Sequence, residues 1–316
     1  MKKLLIYALY SCLLICMALY PGNNIFLTLY AQEPSAFIEK PDIRFIPHDF
    51  PYLQPEPNSI ELAAISAPSF IVLDKASMTP ILQRNSQIRR FPASTVKLAT
   101  ALVALNTFSL TTPLTVKTVI DEEMKMGLVP GEHISLLNLL YGVFLFSAND
   151  AAHTIAENDP QGYDHFIEEM NTYAQNLRLT NTHFNDPIGF DDPAQYSTAY
   201  DMARLAAVAS DYPIILSISS TTSITVADED YTINHPLYNI NQLVGEIPGV
   251  AGLKTGTTTG AGENLITYYQ PQPEQSEVQR HEHSIIIVVM GSEDRFADTR
   301  LLIDFVKNRL SYQSLQ

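Results

Sequence analysis

Tryptophan is absent, cysteine occurs only twice, and lysine plus arginine number 19 against 34 aspartates and glutamates. Each shortage excludes something. Two cysteines cannot build a disulfide scaffold or a cysteine-based zinc site. Both lie in the apolar N-terminus, where Tyr10-Ser11-Cys12 falls too early for lipid attachment and Leu14-Ile15-Cys16 lacks the small residues it needs. A formal net charge of −15 leaves no basic surplus for phosphate, so nucleic acid is not an expected partner. The same deficit argues against electrostatic docking on anionic lipid. What the chain does have is apolar mass: 316 residues, 46% hydrophobic and 17% charged, can bury a substantial core.

Long apolar runs are also scarce. One follows Lys2 and Lys3, from Leu4 to Leu19, and Pro21-Gly22-Asn23-Asn24 ends it. It is shorter than the roughly 20 residues of a spanning helix and suits an export signal. Residues 1–31 are therefore expected to be a signal peptide or an uncleaved anchor, the only expected membrane contact. Past it the chain holds 17 Lys+Arg against 34 Asp+Glu and no cysteine. Six prolines within 32–58 predict an extended stalk. The catalytic domain is expected over 59–316, with a helical insertion at about 108–225.

Periodicity gives the order of elements. Ser69–Asp74 (SFIVLD) is a short β-branched run, with 81–91 as its expected hairpin partner. Helical spacing begins at Ser94, with Val96, Ala99, Leu102, Val103 and Leu105 apolar. The almost wholly apolar stretch 136–146 predicts a buried helix that runs into a sharp turn. Further helices are expected near 162–177 and 199–209, separated by a polar loop at 181–195. Strand character returns at 250–259, 263–270 and 284–290, before a last helix near 297–310. This order fits an α/β (α+β) sandwich, an antiparallel sheet packed with helices plus an inserted all-helical subdomain.

Three short motifs carry chemistry. Ser94-Thr95-Val96-Lys97 sets a hydroxyl and an amine one helical turn apart. Serine needs a neighbouring base to become a nucleophile, and a desolvated lysine can be that base. By composition alone about one such S-x-x-K is expected in a chain this long. Ser147-Ala148-Asn149 ends the most hydrophobic helix, and alone would pass for a cap. Lys254-Thr255-Gly256 lies on a strand between Gly252 and Gly260, glycines that suggest close approach by a ligand. Each occurs once, in this order, and the trio is far more specific than its parts.

The trio and its surroundings resemble the serine-type D-Ala-D-Ala carboxypeptidases, low-molecular-mass penicillin-binding proteins of the β-lactamase/transpeptidase-like fold. The similarity extends to residues 136–152, 181–190, 196–206 and 248–265, covering about 60–310. It implies that Ser94 is acylated, that Lys97 takes its proton, and that Ser147 and Asn149 relay a proton and fix the lysine and substrate amide. It also implies that Lys254, Thr255, Gly256 and Thr257 line the carboxylate site, with the backbone N–H groups of Ser94 and Thr257 as the oxyanion hole. Arg295 resembles an arginine that helps hold the carboxylate, one residue out of local register.

The implied substrate is a peptidoglycan stem peptide ending in D-Ala-D-Ala, with β-lactams as covalent inhibitors, no cofactor, and a location in the periplasm or on the outer face of the cytoplasmic membrane. A D,D-endopeptidase would use the same residues, and a non-catalytic wall-peptide binder is the rival of a different class. A class A β-lactamase is disfavoured, because no E-x-x-L-N pattern falls between Asp150 and Lys254. The best-known members continue into a β-rich domain and a C-terminal anchor, whereas this sequence stops at Gln316. His281 and His283 lie in a polar connection (271–283) and predict a solvated hairpin loop rather than a metal site. Asp191-Asp192 and Asp228-Glu229-Asp230 read as surface turns.

Overall fold

A continuously apolar strand needs cover on both faces. Ser69–Asp74 is such a strand, and in the computed structural model it is buried along its whole length. The structure describes residues 49–53, 60–120, 122–271 and 283–314, all within one unit, residues 40–316. The signal or anchor segment, most of the stalk and His281 lie outside the described residues.

In chain order the elements begin with strand β1 (Asp49–Leu53), helix α1 (Ile60–Ala63), and strands β2 (Ser69–Asp74) and β3 (Thr79–Arg84). A tight turn, Ala93–Val96, leads into α2 (Lys97–Thr107), and β4 (Pro113–Thr115) pairs with β5 (His133–Ser135). The helices α3 (Leu136–Tyr141), α4 (Asn149–Glu157), α5 (Tyr163–Asn176), α6 (Ala199–Ala209) and α7 (Pro213–Ser219) follow. Then come β6 (Ser223–Ala227), β7 (Asn234–Tyr238), β8 (Val250–Thr258), β9 (Gly262–Tyr269), β10 (Ile285–Ser292), α8 (Arg295–Arg309) and β11 (Leu310–Ser314).

The central sheet is antiparallel, in the order β3-β2-β10-β9-β8. One of its faces buries Phe70, Val72, Leu265, Ile285, Ile287 and Val289 against Leu302, Ile303 and Val306 of α8. Each such side chain contributes about 1.5–3 kcal/mol on leaving water. The layer on the other face includes α6, which packs on β2, β9 and β10. This mixed α/β sandwich makes β8 an edge strand, with one side free to meet the helical half.

Several expectations need correction. Part of the segment read as a stalk is strand: β1 pairs antiparallel with β11, Leu53 opposite Leu310, and Tyr312 of β11 donates its hydroxyl to the buried Asp74 at 2.8 Å. The hairpin partner of β2 is 79–84 rather than 81–91, because Asn85 turns the chain through positive φ. The insertion is not all-helical. It carries the β4–β5 pair, whose Leu114 and Ile134 are buried and whose Thr115 is held on both backbone groups by the Asn158 side chain.

Two residues read as solvated are built into the fold. His283 is buried and stacked on Tyr312 at 3.6 Å. Asp228 is buried too, and its carboxylate accepts from the backbone of Thr232 and Ile233. Asp191 is exposed, as a surface turn should be, and accepts from the Thr258 hydroxyl and the Gly260 N–H.

Candidate active site

The local backbone at Ser94 is unusual from the first residue. Ala93 sits at φ 49, outside the conformations L-residues prefer. Pro92 precedes it, the tight turn follows, and α2 begins at Lys97. This turn leaves Ser94 partly exposed while Lys97, one turn on, is fully buried. Lys97 Nζ lies 2.8 Å from Ser94 Oγ, 2.7 Å from Asn149 Oδ1 and 2.9 Å from the Ile188 carbonyl.

The apolar helix expected over 136–146 is α-helical only to Tyr141. Gly142–Phe146 widens into a π-type turn, a distortion common at functional sites. Ser147 then adopts a left-handed conformation at φ 58, which ends the helix and aims Asn149 at Lys97. Gly142 leaves room at that bend for Met126, whose Sδ would lie 2.5 Å from a Cβ there. Asn149 is held at both ends. Its backbone N–H donates to Met124 and its side-chain N–H to Glu123, each at 2.7 Å. That fixes its amide oxygen toward the lysine.

Edge strand β8 supplies the third wall. Lys254 is fully buried and its Nζ lies 2.8 Å from Ser147 Oγ and 2.9 Å from the Thr255 carbonyl. A Cβ on Gly256 would sit 2.9 Å from Ser94 N, so only glycine lets this strand run so close to the nucleophile's backbone. Thr257 is exposed beside it. Arg295, the first residue of α8, donates to the Gly256 carbonyl at 3.1 Å and to the Thr257 hydroxyl. The one-residue shift in its local sequence therefore does not keep it from the cleft. Gly252 and Gly260, by contrast, face protein and not a ligand. Their missing Cβ atoms make room for Ser219 and Asp191.

Charge in the site is lopsided. Burial pulls the Lys97 ammonium down to about 7, opposed first by Asp186 and then by Asp150. Lys254 is pushed well below its ordinary range by burial, then by Lys97 and Arg295. Like charge thus adds to burial at Lys254. Asp150 also receives the backbone N–H groups of Met126, Gly127 and Leu128. That braces the segment whose carbonyls grip Asn149.

The structure thus gathers Ser94, Lys97, Ser147, Asn149, Lys254, Thr255, Gly256, Thr257 and Arg295 around one cleft. Sequence reasoning missed the Ile188 carbonyl and the Glu123 and Met124 carbonyls, because a backbone group has no signature in residue type. Asp150 and Asp186 did lie in stretches flagged for similarity, next to Asn149 and Ile188. No group of three or more potential metal-ligating side chains occurs among the described residues.

Comparison with known proteins gives the chain its relatives. A family profile for D-alanyl-D-alanine carboxypeptidase matches residues 56–294. The chain is 30% identical over 258 residues to D-alanyl-D-alanine carboxypeptidase DacF of Bacillus subtilis, covering 77% of this chain. It is 31% identical over 264 residues to the Escherichia coli enzyme DacC, covering 78%. The match spans 62% of the length of each of these two relatives. Among solved structures, a penicillin-binding protein homologue from Mycobacterium tuberculosis superposes with a TM-score of 0.70 at 27% identity, covering 81% of this chain and 94% of that one. The chain belongs to the D-alanyl-D-alanine carboxypeptidase family.

Proposed function

We propose that this chain is a serine D-Ala-D-Ala carboxypeptidase that removes the terminal D-alanine from peptidoglycan stem pentapeptides. The observation that carries the reading is the contact of Lys97 Nζ with Ser94 Oγ at 2.8 Å, in a setting that brings the amine down to about 7. Near neutrality much of Lys97 is then the free amine that a general base must be.

The steps follow from the contacts. Lys97 takes the Ser94 hydroxyl proton as the oxygen attacks the penultimate D-alanine carbonyl. The developing oxyanion meets the backbone N–H groups of Ser94 and Thr257. Ser147 lies 2.8 Å from Lys254 and, with Asn149, passes a proton to the leaving amine. D-Alanine departs, and water hydrolyses the Ser94 ester with Lys97 again as base. Lys254, Thr255, Thr257 and Arg295 receive the terminal carboxylate. A β-lactam, itself a strained amide beside a carboxylate, acylates Ser94 in the same way.

Residues 1–31 export the domain as a signal peptide or remain as an anchor. The working site is the periplasm or the outer face of the cytoplasmic membrane. The test is turnover of a stem pentapeptide beside that of a cross-linked dimer. Faster D-alanine release from the pentapeptide supports the reading. Preferential dimer cleavage makes the protein an endopeptidase, and no turnover of either makes it a wall-peptide binder.

A further inference from the structure

We propose that Asp186 is a positioning residue: it fixes the Ile188 carbonyl, so that the Lys97 amine turns its lone pair to Ser94. The proposal rests on Lys97 being the base. A neutral amine has two N–H groups and one lone pair, and Lys97 Nζ has three neighbours. Two of these, Asn149 Oδ1 and the Ile188 carbonyl, can only accept. If both take an N–H, the lone pair is left facing the Ser94 hydroxyl. Loss of either acceptor lets the amine rotate and donate to Ser94, the wrong direction for a base.

Asn149 is fixed by its own contacts, as described above. Ile188 O has no such side-chain anchor, and its place depends on the turn 186–190. Asp186 Oδ1 accepts from Ile188 N at 2.7 Å and from Gly189 N at 2.6 Å. Its Oδ2 accepts from Gln195 Nε2 at 2.8 Å and, more weakly, from Phe190 N at 3.3 Å. Gln195 is fully buried, and its Oε1 accepts from the N–H groups of Asn185 and Asp186. The turn also presses on α2: the Pro187 carbonyl accepts from Thr100, one turn beyond Lys97. At Gly189 a Cβ would lie 2.1 Å from the Ala93 carbonyl. One carboxylate thus gathers the three successive N–H groups of a turn wedged against the nucleophile.

Asp186 acts through charge as well as geometry. The charged groups that bear on Lys97 are Asp186 and Asp150, which favour the ammonium; Lys97 in turn bears on Lys254, and the Tyr163 hydroxyl feels Asp186 from α5. Removing the Asp186 charge while keeping an acceptor oxygen separates the two effects.

The experiment measures the second-order rate of acylation by a fluorescent penicillin across the neutral pH range, in wild type, Asp186→Asn and Asp186→Ala. Asp186→Asn is expected to move the acid limb to lower pH and to keep the plateau within about threefold. Asp186→Ala is expected to move the limb likewise and to lower the plateau about tenfold or more, with the KM for a stem peptide nearly unchanged. Unmoved limbs, or a loss in Asp186→Ala confined to KM, would overturn the proposal. If Asp186→Ala does not fold, the limb of Asp186→Asn decides. A wild type without an acid limb, or a Lys97→Ala variant that acylates normally, would instead remove the base assignment beneath it.

Discussion

Two lysines in this cleft begin alike and end differently. Lys97 and Lys254 are both fully buried, and each places its nitrogen 2.8 Å from a serine hydroxyl. Around Lys97 the protein sets two fixed acceptors and, behind them, two carboxylates. Around Lys254 it sets one backbone carbonyl and two further cations, Lys97 and Arg295. The first environment completes itself and leaves a lone pair to spare. Among the described residues no carboxylate offsets the push of those cations on Lys254, and a substrate carboxylate would. Burial alone therefore does not define a lysine's role; the company of charges and acceptors does.

Breaking each lysine should break a different step. Lys97→Ala is expected to lower the acylation rate constant about a thousandfold, while non-covalent binding of a stem peptide stays near the wild-type value. Stopped-flow labelling and equilibrium binding read the two separately. Lys254→Ala is expected to cost about a hundredfold in kcat/KM, mostly through KM, for a peptide with a free C-terminal carboxylate. The penalty should shrink for the same peptide carrying a C-terminal amide, and an equal penalty on both peptides would dissolve the contrast.

A milder test needs no mutation. Because Lys97 is brought to about 7 and must be neutral to act, wild-type acylation should be half-maximal near pH 7, fall below it and level off above. A rate that rises as pH falls has the sign wrong. The smallest effect on the contrast comes from a residue that touches neither lysine. Asp298 holds the backbone N–H groups of Ser66 and Ala67 and the hydroxyl groups of Ser66 and Ser292. Asp298→Ala should cost about 2–3 kcal/mol of stability in denaturant melts and leave acylation per folded molecule unchanged.

How much of this was legible in the chain follows from which atoms do the work. Strand β2 could be read to its last residue because its pattern is local, and the three motifs because their chemistry lives in side chains at fixed spacing. The β6–β7 pair had no such pattern; it is held partly from outside, where Asn138 donates to the Ala227 carbonyl. β1 and β11 are separated by almost the whole described chain, and a proline in β1 masked the pairing. Within the site, the reversals at Ala93, Met124 and Ser147 put ordinary residues at positive φ. Residue type discourages that conformation, so only tertiary contacts can impose it. Glycine misled in one place. Gly252 and Gly260 looked like openings for a ligand, yet Gly256, inside the motif, is the one that lets the strand approach Ser94.

The most direct measurement is rapid-quench intact-mass analysis of the enzyme with a D-Ala-D-Ala pentapeptide, followed by peptide mapping. The expected result is a transient adduct equal to the pentapeptide acyl group without its terminal D-alanine, mapped to Ser94. It should form as D-alanine is released and be absent in Ser94→Ala. An adduct on another residue, or undiminished D-alanine release by Ser94→Ala, would contradict it.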